Sequence, residues 1–207
     1  MASRLTHLLS ITFLTAAAAG CASTAARFYT LDSTATADGT PVTRCAVLVG
    51  PVSLPPSVDR PQFVVQVAPN RVDVDEFHRW AAPLNDSVAR AVAGDLATLL
   101  GTPDVAVGPL ANFDPDYRVT INIQRFESVQ GESAVVDAVW VVRKAAGGEA
   151  RSGRTIAREA AQDKGFDALA GAYSRALAKV SSDIAAAIRA AAASPESASR
   201  QGVKLKH

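Results

Sequence analysis

The chain has 207 residues, enough for one domain with its own core and short for two. Lys plus Arg number 21 against 20 Asp plus Glu, a net charge of +1, which excludes the basic footprint of a nucleic-acid binder. Hydrophobic residues at 48% exclude whole-chain disorder. Two cysteines, Cys21 and Cys45, exclude a disulfide-dense scaffold and a Cys-x-x-Cys zinc site.

The N-terminus starts with a short basic region at Arg4, continues through an uncharged run from Leu8 to Ala19 and ends Ala18-Ala19-Gly20-Cys21. That order describes a secretory signal peptide over residues 1–20. The run is well short of the ~20 residues a helix needs to cross hydrocarbon, so it is not expected to remain as an anchor. The ending resembles a bacterial lipobox, which implies cleavage before Cys21 and acylation of its thiol with fatty chains such as palmitate. Several acyl chains together make an effectively permanent anchor. Ala22, rather than Asp, follows the cysteine, which under the sorting rule of enteric-type bacteria points to the outer membrane with the body in the periplasm. Residues 21–27 then form a lipidated tether. Cys45, left without a partner beside Ala46 to Val49, reads as a small buried hydrophobe.

Phe28 to Leu31 has strand character, Asp32 to Thr43 reads as a loop, and Arg44 to Val52 reads as a buried strand. Gln62–Val67 and Arg71–Glu76 form a hairpin around Pro69-Asn70. Leu84, Val88, Val92, Leu96 and Leu99 make one apolar stripe, predicting a helix over 84–100 that Gly101 and Pro103 terminate. Asp104–Val107 suggests a short strand. From Tyr117, apolar Val119, Ile121 and Ile123 alternate with Arg118, Thr120 and Asn122, the signature of a half-buried strand. Turns at Gln130-Gly131 and Ala146–Glu149 fold two more strands, 134–142 and about 153–158, into an antiparallel meander. A second helix spans about Phe166 to Ala193. The tail 194–207, with Arg200, Lys204 and Lys206, is expected to be flexible. The fold expected for residues 28–193 is a single α+β domain, a largely antiparallel sheet with two long helices packed on one side.

Chemistry is sparse. Beyond the signal segment the histidines are His78 and His207, and neither a Gly-x-Ser-x-Gly elbow, a His-Glu-x-x-His motif nor a phosphate-binding loop occurs. No catalytic residue, metal ligand or cofactor is therefore expected, and an enzyme would have to rest on His78. Two clusters stand out. Gly50 to Gln62 holds Pro51, Pro55, Pro56 and Pro61, which stiffen a connector presenting Asp59 and Arg60 on a rigid edge, or else forming an ordered crossover with a local ion pair. Glu76 to Leu84 holds Phe77, Arg79 and Trp80 at the mouth of the first helix, either stapling it to the core or forming a contact surface. Asp59, Arg60, Arg79 and Trp80 are the candidate partner contacts.

The ordered set of a lipobox, Phe28-Tyr29-Thr30-Leu31, Val49-Gly50-Pro51-Val52-Ser53-Leu54-Pro55, Asp59-Arg60-Pro61-Gln62 and Glu76-x-His78-Arg79-Trp80-Ala81-x-Pro83-Leu84 resembles the PqiC family. This family is also called the ABC-type transport auxiliary lipoprotein component, YmbA-like. Tyr117-Arg118-Val119, Phe126-Glu127 and Trp140 are similar to its second half. The resemblance implies a non-catalytic outer-membrane lipoprotein that works with an MCE-domain protein, in some systems with an ABC permease and ATPase. Such systems move lipids between membranes and support envelope integrity. Self-association into a dimer or ring would suit a subunit meeting an oligomeric partner. The basic tail after Ser194 has no counterpart in that pattern. The competing reading is a free-standing periplasmic lipid-binding lipoprotein, holding an acyl chain between helix and sheet.

Overall fold

The alternation beginning at Tyr117 builds the strand around which the molecule is arranged. The computed structural model describes residues 24–194. The signal segment, Cys21 and the chain beyond Ser194 lie outside the described residues. In chain order the elements are β1 (Arg27–Tyr29), β2 (Val47–Ser53), β3 (Gln62–Ala68), β4 (Arg71–Trp80), helix α1 (Leu84–Leu100), β5 (Val105–Val107), β6 (Tyr117–Val129), β7 (Ser133–Lys144), β8 (Arg151–Ala160) and helix α2 (Phe166–Ala192).

All eight strands share one sheet. β7 pairs antiparallel with β6 and β8, and β3 pairs antiparallel with β4, so the meander and the hairpin form as the turns dictate. The expectation of a largely antiparallel sheet fails elsewhere. β1 runs parallel to β4, and β2 runs parallel to both β5 and β6. β3 also meets β6 in parallel, at Gln66 opposite Val129. The sheet is therefore mixed, and it curls because β2 and β3 occupy different lengths of one β6 edge. Tight turns can only return a strand antiparallel, whereas long crossovers deliver it in the same direction. Here the connections that keep direction are the proline-rich segment from Leu54 to Pro61, between β2 and β3, and the loop from Gly108 to Asp116, between β5 and β6.

Both helices cover one face. Val119, Ile121 and Ile123 of β6 and Ala138, Trp140 and Val142 of β7 lie buried against the α2 stripe of Leu169, Tyr173, Leu177, Val180, Ile184 and Ile188. Each such side chain contributes about 1.5–3 kcal/mol when fully buried. Gly101 ends α1 in the left-handed region at φ 67°, where a Cβ would be strained. Gly153 answers a different demand. The Trp140 ring lies over it, and a Cβ there would come within 2.3 Å of the ring. Trp140 Nε1 donates to Thr155 Oγ1 at 3.0 Å, and that hydroxyl donates to Asp183 Oδ2 at 2.6 Å, tying the strand to α2.

The loop between β1 and β2 is a strap across the helix pair. Asp95 of α1, fully buried, accepts from Ser33 Oγ and from the Thr34 and Ala35 N–H groups, each at 2.9 Å. Ser181 Oγ of α2 donates to its other oxygen at 3.0 Å. Further along, Arg189 of α2 donates to Asp38 at 2.8 Å and to the Leu99 carbonyl, and Thr43 N–H donates to the Leu100 carbonyl.

Candidate functional site

The proline-rich connector and the end of β4 meet at the open end of the β3–β4 hairpin. Prolines fix φ and restrict their neighbours, so the segment between β2 and β3 closes into a tight turn. The N–H groups of Val58 and Asp59 donate to the Pro55 carbonyl at 3.0 and 3.1 Å. The Pro61 carbonyl accepts from Trp80 N–H at 2.7 Å, and Gln62 stands opposite Arg79. Asp59, Arg60 and Arg79 are thereby placed at the same end of the β3–β4 hairpin. Asp59 and Arg60 are exposed, and they do not form the local ion pair that one reading of the connector allowed. Arg79 is half-exposed and donates to the Glu76 carbonyl at 2.8 Å and its carboxylate at 3.2 Å. Gln62 Nε2 donates to the same carboxylate at 3.2 Å.

Trp80 does not join them. Alternation along β4 turns Arg79 outward and Trp80 inward, where it is 5% exposed. Its ring stacks on Phe63 with centroids 4.1 Å apart and meets Phe126 and Tyr173 edge-on at 6.2 and 6.1 Å. It staples the helix mouth to the core and is withdrawn from the candidate contacts.

A bulge precedes it. Gln62 faces Arg79 while Phe63 faces Asp75, so Glu76, Phe77 and His78 have no opposite residue on β3. Asp75 Oδ1 fixes this bulge by accepting from the N–H groups of Phe77 and His78, each at 2.9 Å, with His78 Nδ1 at 2.8 Å. Burial pushes the Asp75 carboxyl up, but hydrogen bonds from His78 and from these two N–H groups outweigh it and leave the carboxyl below its ordinary value. The His78 ring stacks on Phe166 at 3.9 Å and on Tyr29 at 5.8 Å. Its hydrogen bond goes to Asp75, and neither a serine hydroxyl nor a cysteine thiol is among its partners in the described residues. Among the described residues no three potential metal ligands cluster.

Phe77 turns outward beside an open cleft of about 430 Å³ lined by Val65, Val67, Asp73, Asp75 and Phe166. The space beside the core aromatics is small by contrast. The cavity beside Trp80, Phe126 and Tyr173 measures about 10 Å³. Cys45 is buried, and its thiol is pushed up to about 11, chiefly by burial, with Asp116 and Asp104 adding to it. A thiol in that state is a packing group rather than a nucleophile at neutral pH. No helix among the described residues is long and apolar enough to cross a membrane.

Sequence reasoning missed Asp95. A signal was present, because Val88, Val92, Asp95 and Leu99 recur at helical spacing and put one carboxylate on a buried stripe.

A family model described as ABC-type transport auxiliary lipoprotein component matches residues 29–185. Two solved structures have the same fold. A crystal structure of an uncharacterized protein is 18% identical with a TM-score of 0.64, covering 80% of this chain and 99% of that one. A Xanthomonas campestris protein of the DUF330 family is 20% identical with a TM-score of 0.63, covering 76% of this chain and 92% of that one. No curated protein matches in sequence.

Proposed function

The chain belongs to the family of ABC-type transport auxiliary lipoprotein components, and on that premise we propose that it is a non-catalytic subunit of an MCE-type intermembrane lipid transport system. Acyl chains on Cys21 hold it at the outer membrane, with the body in the periplasm. The observation that carries this reading is the match over residues 29–185, which begins just beyond the lipobox-like cysteine. Asp59, Arg60 and Arg79 dock the MCE-domain partner, with an ABC permease and ATPase further along the system. Three charged groups at a proline-stiffened hairpin end suit this role, because a pre-ordered surface loses little entropy on binding. The cavity of about 10 Å³ beside Trp80 has room for a water and not for an acyl chain, so a free-standing lipid carrier would have to use the open cleft beside Phe77 and Phe166 instead.

The test is mild detergent extraction of the full-length chain from its own host's membranes, followed by mass spectrometry. Co-purification of an MCE-domain protein is expected, with its recovery cut about tenfold or more by Arg60→Ala combined with Arg79→Ala. Cys21→Ala should release the chain from the membrane fraction. If no MCE-domain protein accompanies a folded, acylated and abundant chain, the accessory role is lost.

A further inference from the structure

Along the open face of the β6–β7–β8 meander, positive charge is matched at one end and unmatched at the other. Arg125 donates to Glu127 at 2.9 and 2.6 Å, and Arg154 donates to Asp137 at 2.8 and 2.7 Å. Arg158 lies 3.9 Å from Glu132. At the other end, Arg118 of β6 stands directly opposite Arg143 of β7. Side chains so placed share a face with Cβ atoms about 5 Å apart, and like charges there repel. Both arginines are exposed, and neither has a hydrogen-bond or ion-pair partner among the described residues. The next rung is uncharged, with Thr120 opposite Val141 and Val141 opposite Ser152. The one after it sets Asn122 opposite Val139 beside Arg154, whose charge Asp137 already neutralises; both valines are half-buried. Stability alone does not call for two facing arginines. An anionic group that bridges both guanidiniums removes the repulsion and gains paired, charge-assisted hydrogen bonds.

The position of the pair selects the source of that anion. From Arg118 to Val129, β6 spans about 36 Å at ~3.3 Å per residue. The β3–β4–β1 arm joins at Val129, and β1 runs antiparallel to β6, so the chain preceding Arg27 arrives from the Val129 end. Residues 21–27 reach at most about 20 Å when fully extended. A membrane holding Cys21 thus lies at the end away from Arg118 and Arg143, and a protein extending out from that membrane meets them. We infer that Arg118 and Arg143 form a docking patch for an acidic segment of a partner protein. The two guanidiniums hold its carboxylates, and Val139 and Val141 receive its apolar side chains. This rests on the Cys21 anchor proposed above and adds a surface remote from Asp59, Arg60 and Arg79.

The probe is a fluorescent hexaglutamate peptide, titrated at low salt into the mature acylated chain in detergent. Arg118→Thr combined with Arg143→Thr is expected to weaken binding at least about tenfold, the equivalent of ~1.4 kcal/mol. The same variant should unfold at an equal or higher temperature, since it removes a like-charge contact. Unchanged peptide affinity overturns the patch, and so does a lowered unfolding temperature, which would make the arginines structural. Stronger competition by short-chain phosphatidylglycerol than by unlabelled peptide also overturns it, in favour of lipid headgroups. The membrane extraction separates this inference from the functional one. If wild type and variant recover an MCE-domain protein equally, the patch fails and the accessory role stands. If wild type recovers none, the accessory role fails, and the peptide titration still decides the patch.

Discussion

The β6–β7–β8 meander and the β1–β4–β3 arm belong to one sheet, yet different forces fasten them. The meander is a backbone ladder, running from Tyr117 opposite Lys144 to Val129 opposite Ser133, then on from Ser133 opposite Ala160 to Val142 opposite Arg151. The arm reaches β6 through the Gln66–Val129 pairing and a 2.8 Å hydrogen bond from Ser128 Oγ to the Val64 carbonyl. Apart from the strap that follows β1, what holds it is aromatic packing, with Phe63 and Trp80 of the arm set against Phe126 and Tyr173, whose rings stack at 3.8 Å. Backbone ladders open cooperatively, whereas an element held by one cluster of side chains can open by itself. The part of the molecule that carries Arg27, Asp59, Arg60 and Arg79 is thus the part with the weaker backbone attachment.

The largest expected effect breaks that cluster. Trp80→Ala removes a buried ring from the junction of arm and body and should cost about 3–5 kcal/mol in urea unfolding. Amide exchange then carries the comparison. The N–H groups of β3 and β4 should lose protection at urea concentrations where β6 and β7 keep theirs. Equal loss in both would mean that arm and meander open as one unit and that the contrast is false.

Asp95→Ala comes next, because the strap ties the far end of β1 to the body. The substitution leaves the Thr34 and Ala35 N–H groups and the Ser33 and Ser181 hydroxyls without their acceptor. A loss of about 3 kcal/mol is expected, since buried donors left unsatisfied lose their desolvation cost uncompensated. Asp95→Asn keeps an acceptor oxygen and should lose less. If both variants unfold like the wild type, the strap follows the helix pair without holding it.

How much of this the sequence revealed depends on how local each feature is. Both helices were legible, α1 to the residue and α2 to within one, because stripe and stop signals lie inside the segment itself. The meander was legible through alternation and turn residues. The parallel pairings left no local sign, because β1 and β4, or β2 and β6, are brought together by segments far apart in the chain. Trp80 was ambiguous because the Asp75-capped bulge interrupts the alternation just before it, hiding that Arg79 and Trp80 point to opposite faces. The charged hairpin end was half legible. The prolines announced a stiff, exposed connector, but only the tertiary pairing of Pro61 with Trp80 places Asp59 and Arg60 at the same end as Arg79.

The smallest effect sharpens the comparison from the meander side, through pH. Asp137 is 1% exposed on β7, and the hydrogen bonds from Arg154 are the main cause holding its carboxyl below the ordinary carboxylate value, against the opposing push of burial. A carboxyl with a lower pKa folded than unfolded contributes stability that is complete above the unfolded value, near about 4. That contribution fades as pH falls through the lower folded value, because the unfolded chain then binds the proton first. Asp137→Asn lacks the charge at every pH. It should therefore be less stable than wild type at pH 7, with the gap closing steadily below about pH 4. Urea midpoints for the two proteins at a series of pH values measure this directly. A gap that stays constant from neutral pH down through the acid range would show that the meander relies on its ladder alone and that the Arg154–Asp137 pair adds nothing to it.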